Sequence, residues 1–215
     1  MCIRDSFTHD HGATCATLGY GEPPFPAQCC ISINEVACHG IGDDTILKDG
    51  DIVNIDVTPI VDGWHGDTSK MFLIGDVSAE DKELCKVAHE AMWKGIEAIE
   101  IGEDVGVIGS AIEAYMRNQK FATAKQYCGH GVGKVFHEEP QILHYNYWRY
   151  GTAIEPGMTF TIEPIINAGK GNTYISQDDH WTVYTSDSSK SAQWEHTILV
   201  TDDDVQVLTL REEEL

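Results

Sequence analysis

One ten-residue pattern occurs twice in this chain of 215 residues, and it limits the folds that the chain can adopt. Residues 47–56 (LKDGDIVNID) align with residues 154–163 (IEPGMTFTIE) at an offset of 107 residues. The alignment places Asp56 on Glu163, so a carboxylate ends the strand pattern in both copies. A duplicated half-domain would bring these two acids to a pseudo-twofold interface. Chance similarity between two β-rich segments is the alternative explanation.

The spacing of apolar residues predicts both helices and strands. Ser78-Ala79-Glu80-Asp81 has the form of a capping box, and apolar residues then recur at helical spacing as far as Ile96. A second helix begins near Asp104 and keeps apolar side chains on one face to Met116. Strand-like patterns cover residues 30–38, 158–166, 181–184, 194–200 and 205–210. The sequence therefore predicts an α+β domain in which helices pack on one face of a curved antiparallel sheet.

Asp56 and Asp67 lie in a segment that reads as strand, turn and strand, with a turn signal at Asp62-Gly63. Cross-strand partners in an antiparallel hairpin have a constant sum of residue numbers. Because 56 and 67 have an odd sum, a loop of even length places both carboxylates on one face. Two like charges on a half-buried face favour a bound cation or a shared proton. A solvated face with two unrelated acids is the alternative.

Three further residues could complete a metal site. His130 lies between glycines in CGHGVGKVFHEEP, where the missing side chains would let the backbone approach a ligand closely. Glu163 ends the second copy of the repeat, and Glu195 opens a strand in AQWEHT among apolar neighbours. Four carboxylates and one imidazole suit two divalent ions such as Mn²⁺, Fe²⁺, Co²⁺ or Zn²⁺ better than one structural zinc. For each residue taken singly, a structural role is the alternative.

The excess of acidic residues limits the kinds of molecule that the chain is expected to bind directly. Asp and Glu outnumber Lys and Arg by 35 to 14, which gives a net charge of −21. This charge argues against direct binding to nucleic acid or to an anionic membrane. The seven cysteines are odd in number and include no C-x-x-C spacing, which predicts a reducing cytoplasm. No apolar run approaches the length of a membrane span.

The two ends of the chain do not look like parts of the folded core. Residues 1–11 have no apolar segment of the signal-peptide kind and no pattern of a folded element, which predicts a non-native or disordered start. Residues 211–215 (REEEL) predict a charged, frayed tail. The remainder has the length and apolar content of one domain, so residues 1–215 are expected to form a single domain.

Five blocks of the chain resemble the bacterial type I methionine aminopeptidases, and they occur in the order found in that family. The blocks are INEVACHGI, DGDIVNIDVTPIVDGWHGDTSKMF, CGHGVGKVFHEEP, PGMTFTIEPIINAG and SAQWEHTILVT. The resemblance covers about residues 19–210 and implies the pita-bread fold, a pseudo-twofold duplication. It implies a single metallopeptidase domain that removes the N-terminal methionine from nascent proteins and from peptides with a small second residue.

The resemblance also implies which residues form the site. Two divalent ions (Co, Mn, Fe or Zn) would be held by Asp56, Asp67, His130, Glu163 and Glu195. Asp67 and Glu195 would contact both ions, and Glu163 would also take and pass a proton. The histidines His39 and His137 would contact the substrate amide and stabilise the tetrahedral intermediate. The methionine side chain would be bound by Tyr20, Phe25, Cys30, Cys38, Phe136 and Trp181, together with His39 and His137.

The start of the chain departs from the family pattern, because members carry further helical and strand elements before the segment at Gly12. We therefore expect a truncated start and reduced stability, with a core surface and an edge strand left uncovered. The expected partners are nascent polypeptide N-termini, with the ribosome as a candidate, and the expected state is a cytoplasmic monomer.

Three other readings of the sequence are open. An Xaa-Pro aminopeptidase or dipeptidase shares the fold and the ligands. A non-catalytic pita-bread protein that binds partners would have lost its ligands, whereas all five are present here. An acidic metal-buffering protein would need no aromatic pocket beside the ligands.

Overall fold

The computed structural model describes residues 3–147 and 151–214. Within these residues the helices are α1 (Ile3–Asp10), α2 (Ala79–Glu97), α3 (Gly106–Met116) and the 3-10 helix η1 (Glu212–Glu214). The strands are β1 (Thr14–Cys15), β2 (Cys30–Ile33), β3 (Val36–Cys38), β4 (Ile52–Val57), β5 (Pro59–Val61), β6 (Trp64–His65), β7 (Thr68–Leu73), β8 (Ala122–Thr123), β9 (Cys128–Gly131), β10 (Glu138–Leu143), β11 (Thr159–Ile162), β12 (Ile165–Asn167), β13 (Thr173–Ile175), β14 (Val183–Thr185), β15 (Ser191–Gln193), β16 (His196–Val200) and β17 (Val205–Val207).

The strands form five antiparallel sheets. Their strand orders are β1-β5-β6, β2-β4-β7, β13-β14-β3, β15-β12-β8 and β10-β9-β11-β16-β17. Helix α2 begins after Ser78, whose hydroxyl accepts a hydrogen bond from the Asp81 N–H, as the capping-box pattern predicts. The α+β class and both sequence-predicted helices are confirmed.

The ten-residue repeat corresponds to a repeated strand pair. Gly50 and Gly157, which the repeat aligns, adopt φ angles of 95° and 91°, in the left-handed region that favours glycine. Each glycine N–H donates to a carbonyl at the far end of the paired strand, Gly50 to Ile74 and Gly157 to Val200. The strand after Gly50 is β4, which pairs with β7, and the strand after Gly157 is β11, which pairs with β16. The two halves therefore share one local structure.

The two halves meet where β7 and β16 begin. The Glu195 N–H donates to the Ser69 carbonyl at 3.2 Å, which forms an isolated antiparallel bridge. Two residues away on each segment, the Thr197 hydroxyl donates to the Asp67 carbonyl at 2.7 Å. We call this pairing of residues 67–69 with residues 195–197 the seam. It places one acid from each half, Asp67 and Glu195, next to each other.

Helices α2 and α3 pack against the strands and bury the main core. The fully buried side chains Leu84, Met92 and Ile108 of the helices join Phe160 and Ile162 of the sheet in one apolar cluster. Burial of such side chains contributes about 1.5–3 kcal/mol each relative to exposure. The strand ends that carry the candidate ligands are thereby fixed on a packed layer.

Several predicted strands are shorter than the sequence pattern suggested. Residues 30–38 form two strands, because Asn34 adopts a φ angle of 53° in a turn between β2 and β3. Residues 158–166 divide into β11 and β12 at Pro164, which has no N–H to donate to a neighbouring strand. A single alternating pattern does not reveal such interruptions.

Both chain ends differ from the expectation. Helix α1 lies within residues 1–11, where no folded element was predicted; Met1 and Cys2 are outside the described residues. Within the tail 211–215, of which Leu215 is also not described, η1 is held by buried hydrogen bonds of Arg211 and Glu214, so the predicted fraying is wrong. The contacts of Glu214 with His196 and of Arg211 with Ser69 are not visible in the sequence, since these partners are far away in the chain.

Candidate active site

The five candidate ligands come together at the ends of five strands. Asp56 lies near the end of β4, opposite Ser69 on β7, and Asp67 is two residues from Ser69, so both carboxylates lie on one face as predicted. His130 lies in β9, Glu163 directly follows β11, and Glu195 directly precedes β16.

Donor atoms of four of these residues lie close enough together to bind a metal ion: those of Asp67, His130, Glu163 and Glu195. His130 Nε2 lies 3.7 Å from Asp67 Oδ2 and 3.5 Å from Glu163 Oε1. One donor atom each of Asp67, His130 and Glu195 lies within 4.8 Å of the others. Asp67 and Glu195 are only 4% and 2% exposed. Bulk water therefore cannot be what mainly stabilises their charged forms.

Burial raises the pKa of all four carboxyl groups. The pKa of Asp67 rises to about 6 and that of Glu163 to about 8, in both cases chiefly because the site removes water from the charged form. The pKa values of Asp56 and Glu195 are also raised, first by desolvation and then by the charge of Asp67. Without a cation Glu163 would keep its proton at pH 7, whereas Asp67 would be mostly ionised in spite of its desolvation.

The residues present fit divalent metal ions. Asp56 Oδ1 is enclosed by protein and has no hydrogen-bond partner among the described residues, which is costly for a carboxylate oxygen unless a cation binds it. The donor set consists of carboxylate oxygens and one imidazole, the ligands that Mn²⁺, Fe²⁺, Co²⁺ and Zn²⁺ accept. Bound cations would offset the desolvation that raises all four pKa values, and also the repulsion that adds to it for Asp56, Glu163 and Glu195.

Neutral side chains orient the carboxylates, and sequence reasoning missed them. The Thr58 hydroxyl donates to Asp67 Oδ1 at 2.7 Å, and the Thr161 hydroxyl donates to Glu163 Oε1 at 2.7 Å. Gln193 Nε2 donates to Glu163 Oε2 at 3.1 Å. Thr161 precedes Glu163 by two residues on the same strand face, and this spacing could have identified it.

The glycines beside His130 have a different use from the one predicted. A Cβ atom on Gly129 would lie 2.3 Å from the Thr161 carbonyl oxygen, and one on Gly131 would lie 2.3 Å from the Glu139 carbonyl oxygen. These glycines let β9 approach its neighbouring strands, so close approach to a ligand is not the reason for them. The close packing that they allow holds the His130 backbone between β10 and β11.

The substitution Gly129→Ala should therefore destabilise the fold. Forcing a methyl group against the carbonyl of Thr161 should lower the free energy of unfolding by about 1–3 kcal/mol, the usual range for overpacking. At this chain length each kcal/mol corresponds to about 2–4 °C in the melting temperature. Gly151→Ala is the matched control, because its Cβ would meet nothing within 4 Å. Equal melting temperatures for the two variants would contradict the packing argument.

The ligands form one end of a cavity of about 320 Å³. All the sequence-predicted site residues line it: the five ligands together with His39, His137, Tyr20, Phe25, Cys30, Cys38, Phe136 and Trp181. Sequence reasoning missed a further group of lining residues, namely Thr17, Gln126, Tyr127, Cys128, Ile165 and Gln193. The aromatic rings of Phe25 and Trp181 meet edge to face at 5.4 Å, and they form an apolar wall of the same cavity.

Two histidines also line the cavity. His39 adopts an uncommon φ angle of 54°, and its ring meets that of Trp181 edge to face at 6.2 Å. Burial lowers the pKa of His39 to about 4, so its imidazole is neutral at pH 7. Desolvation by the cavity wall, and then the neighbouring imidazoles, lower the pKa of His137 to about 3. His137 Nδ1 lies 2.7 Å from the Tyr20 hydroxyl, which orients the ring.

The raised pKa of Glu163 makes the stability of the metal-free protein depend on pH. The folded protein keeps this proton at pH values where the unfolded chain has released it. Stability is therefore lost as the pH rises from the ordinary pKa of 4.5 to the folded value of about 8. Glu163→Gln removes this effect, so the metal-free variant should melt several degrees above the metal-free parent at about pH 8 and close to it at about pH 4.5.

Thermal unfolding of chelator-treated protein at the two pH values measures this difference. Glu97→Gln, at an exposed helical position, serves as the matched control. If Glu163→Gln changed the melting temperature by the same amount at both pH values, the burial account of this carboxyl group would be wrong.

Comparison with known proteins assigns this site to a class. The sequence profile of metallopeptidase family M24 matches residues 5–202, and the chain belongs to this family. Methionine aminopeptidases match nearly its whole length. That of Escherichia coli (strain K12) is 48% identical over 212 residues, which cover 98% of this chain and 79% of the relative. That of Rickettsia prowazekii (strain Madrid E) is 49% identical over 210 residues, 98% of this chain and 80% of the relative.

Solved structures agree with this assignment. A crystal structure of methionine aminopeptidase from Rickettsia prowazekii superposes with a TM-score of 0.92 at 49% identity, covering 95% of this chain and 82% of the other. The prolidase from Pyrococcus furiosus has a TM-score of 0.67 at 24% identity, covering 86% of this chain and 49% of the other, and shows a shared fold only. The family resemblance and the pita-bread fold predicted from the sequence are confirmed.

Proposed function

We propose that this chain is a metal-dependent aminopeptidase that removes the N-terminal methionine from nascent proteins and from peptides with a small second residue. The observation that carries this proposal is that one cavity contains both a set of buried carboxylates and an apolar aromatic wall. The carboxylates have an unpaired oxygen and raised pKa values, and the aromatic wall suits a thioether side chain.

The metal centre would use all five predicted ligands. Asp67 and Glu195, adjacent across the seam, would each serve two ions, Asp56 would complete one site, and His130 with Glu163 would complete the other. When bound, divalent ions (Co, Mn, Fe or Zn) would acidify a water molecule and hold the free amino group of the substrate. Buried carboxylates keep such ions in a dry pocket, where electrostatic interactions are strong.

The residues of the chain itself would move protons and stabilise charge. Glu163 would accept a proton from the attacking water and pass it to the leaving amine, a general-base and general-acid role that a positioned carboxyl group can perform. His39 and His137 are neutral at pH 7 and would donate hydrogen bonds to the oxygen on which negative charge develops. Phe25 and Trp181 would hold the methionine side chain and keep bulk water out.

The natural setting is proposed on the same basis. The substrates would be nascent polypeptide N-termini, met in the cytoplasm by a monomer, with the ribosome as a candidate partner. Within the part of the chain that the structure describes, no helix is both long and apolar enough to cross a membrane. The net charge of −21 opposes direct binding to nucleic acid.

A peptide assay distinguishes this function from its alternatives. Met-Ala-Ser and Gly-Pro peptides are incubated with protein reconstituted with Mn²⁺ or Co²⁺, and again after addition of chelator. We expect release of methionine from Met-Ala-Ser only, and loss of that release on chelation. Cleavage of the Gly-Pro bond would favour an Xaa-Pro peptidase, and absence of any cleavage by metal-loaded protein would favour a non-catalytic binding protein.

A further inference from the structure

Arg211 is a buried cation at the back of the seam. Its side chain is 14% exposed, and its Nη2 donates to the Thr68 hydroxyl at 2.7 Å and to the Ser69 carbonyl at 2.6 Å. The same nitrogen lies 3.3 Å from the Glu195 carbonyl. One guanidinium group therefore contacts both halves of the molecule, at the backbone that carries Asp67 in the first half and Glu195 in the second.

Arg211 is held in place by a second buried network. Its Nη1 donates to both carboxylate oxygens of Glu214, at 3.1 and 3.2 Å, and this hydrogen bond between two charged groups is stronger than a neutral one. The Glu214 side chain is 5% exposed and also contacts His196 Nε2 at 3.2 Å and His89 Nε2 at 3.0 Å. His196 is the residue after Glu195, so the network returns to the same strand.

Further contacts fix η1 on β7. Lys70 pairs with Glu213, and the guanidinium group of Arg211 lies over the Trp194 ring, 5.4 Å from its centroid. The charged tail is thus bonded to the residues directly before and after Glu195 and to the residues directly after Asp67. This arrangement constrains the distance between two strand ends that are far apart in the chain.

We propose that Arg211 is a positioning residue that sets the separation of Asp67 and Glu195 and so determines how tightly the site binds divalent metal. The inference rests on the metal centre proposed above, in which these two carboxylates contact both ions. Each comes from a different half, so their separation depends on the seam and not on one rigid strand. The Thr68 hydroxyl, which accepts from Arg211, donates to the Glu195 carbonyl at 2.9 Å and completes the link between the halves.

The test compares Arg211→Gln with Arg117→Gln. Arg117 is the matched control, because its side chain is 69% exposed and forms a surface ion pair with Glu113 of α3. Titration of chelator-treated protein with Mn²⁺ by calorimetry should show about 10–100-fold weaker binding for Arg211→Gln, the usual loss for residues that orient ligands. Arg117→Gln should bind like the parent. The visible absorption of Co²⁺-saturated protein should change in band shape only for Arg211→Gln.

Further variants keep the test decisive. Arg211→Lys should bind Mn²⁺ with intermediate affinity, because a single ammonium nitrogen can reach the seam carbonyls but cannot also replace the second guanidinium nitrogen, which contacts Glu214. Should Arg211→Gln not fold, Glu214→Gln, which keeps the shape of the tail, should show weaker Mn²⁺ binding in its place. A variant with a lowered melting temperature but parental Mn²⁺ affinity and Co²⁺ spectrum would overturn the proposal and leave Arg211 a purely structural role.

Asp67→Asn separates this proposal from the metal centre itself. If Asp67→Asn loses Mn²⁺ binding while Arg211→Gln and Glu214→Gln keep it, only the positioning role is wrong. If Asp67→Asn binds Mn²⁺ as tightly as the parent, the metal centre is wrong and the positioning role falls with it.

Discussion

Asp67→Asn is expected to abolish nearly all methionine release and most of the metal binding. The amide keeps the size of the side chain and can still accept from Thr58, but it removes the charge that would serve both ions. Loss of a residue that only orients a ligand costs about 10–100-fold in metal affinity, so loss of a ligand shared by two ions should cost more than about 100-fold. Calorimetry with Mn²⁺ and turnover of Met-Ala-Ser measure the two effects.

Asp62→Asn is the matched control for this substitution. Asp62 lies five residues earlier in the same segment, is exposed, and has a φ angle of 51° that asparagine tolerates well. It should bind Mn²⁺ and release methionine like the parent. Full activity of Asp67→Asn in chelator-treated buffer would rule out the role of Asp67 in a metal centre.

His39→Asn should slow turnover by about 10²–10³-fold while leaving Mn²⁺ affinity unchanged. The factor is that for loss of one hydrogen bond to charge that develops in the transition state. Asparagine is the appropriate replacement because it tolerates the left-handed backbone of His39 at a φ angle of 54°. Steady-state kinetics with Met-Ala-Ser and Mn²⁺ calorimetry on the same preparation separate the two properties.

His180→Asn provides the control for backbone and composition. His180 is exposed and also has a positive φ angle, 63°, so the same exchange is made in the same backbone conformation away from the ligands. Its kinetics should equal those of the parent. A parallel loss of metal binding and turnover in His39→Asn would show that His39 supports the ligands and does not act on the substrate.

Local patterns were sufficient for the elements that bear the ligands. The capping box at Ser78 depends on residues within one turn, and the strand through Asp56 depends on residues within one strand. Both elements are present in the structure, although burial along that strand does not alternate. The repeat linked Asp56 to Glu163 because duplicated strands keep their glycine turns, as the φ angles of Gly50 and Gly157 show. All thirteen predicted site residues line one cavity, although their individual roles remain predictions.

Contacts between distant segments could not be predicted in the same way. The charge of REEEL predicted an exposed tail. The side chains of Arg211 and Glu214 are nevertheless largely buried, because carbonyls and an imidazole at the seam bind them. The hydrogen bonds of Thr58 and Gln193 to the carboxylates depend on which strand ends meet, and no periodicity encodes that. The glycines beside His130 were predicted to let the backbone approach a ligand, because a single sequence does not show how closely the neighbouring strands pack.

Anomalous diffraction at the manganese edge from crystals grown with Mn²⁺ tests the central claim most directly. The account predicts two peaks about 3.5–4 Å apart at the ligand end of the cavity, with the carboxylates of Asp67 and Glu195 each in contact with both. A single peak, or peaks that contact neither carboxylate, would contradict a dimetal centre formed across the seam.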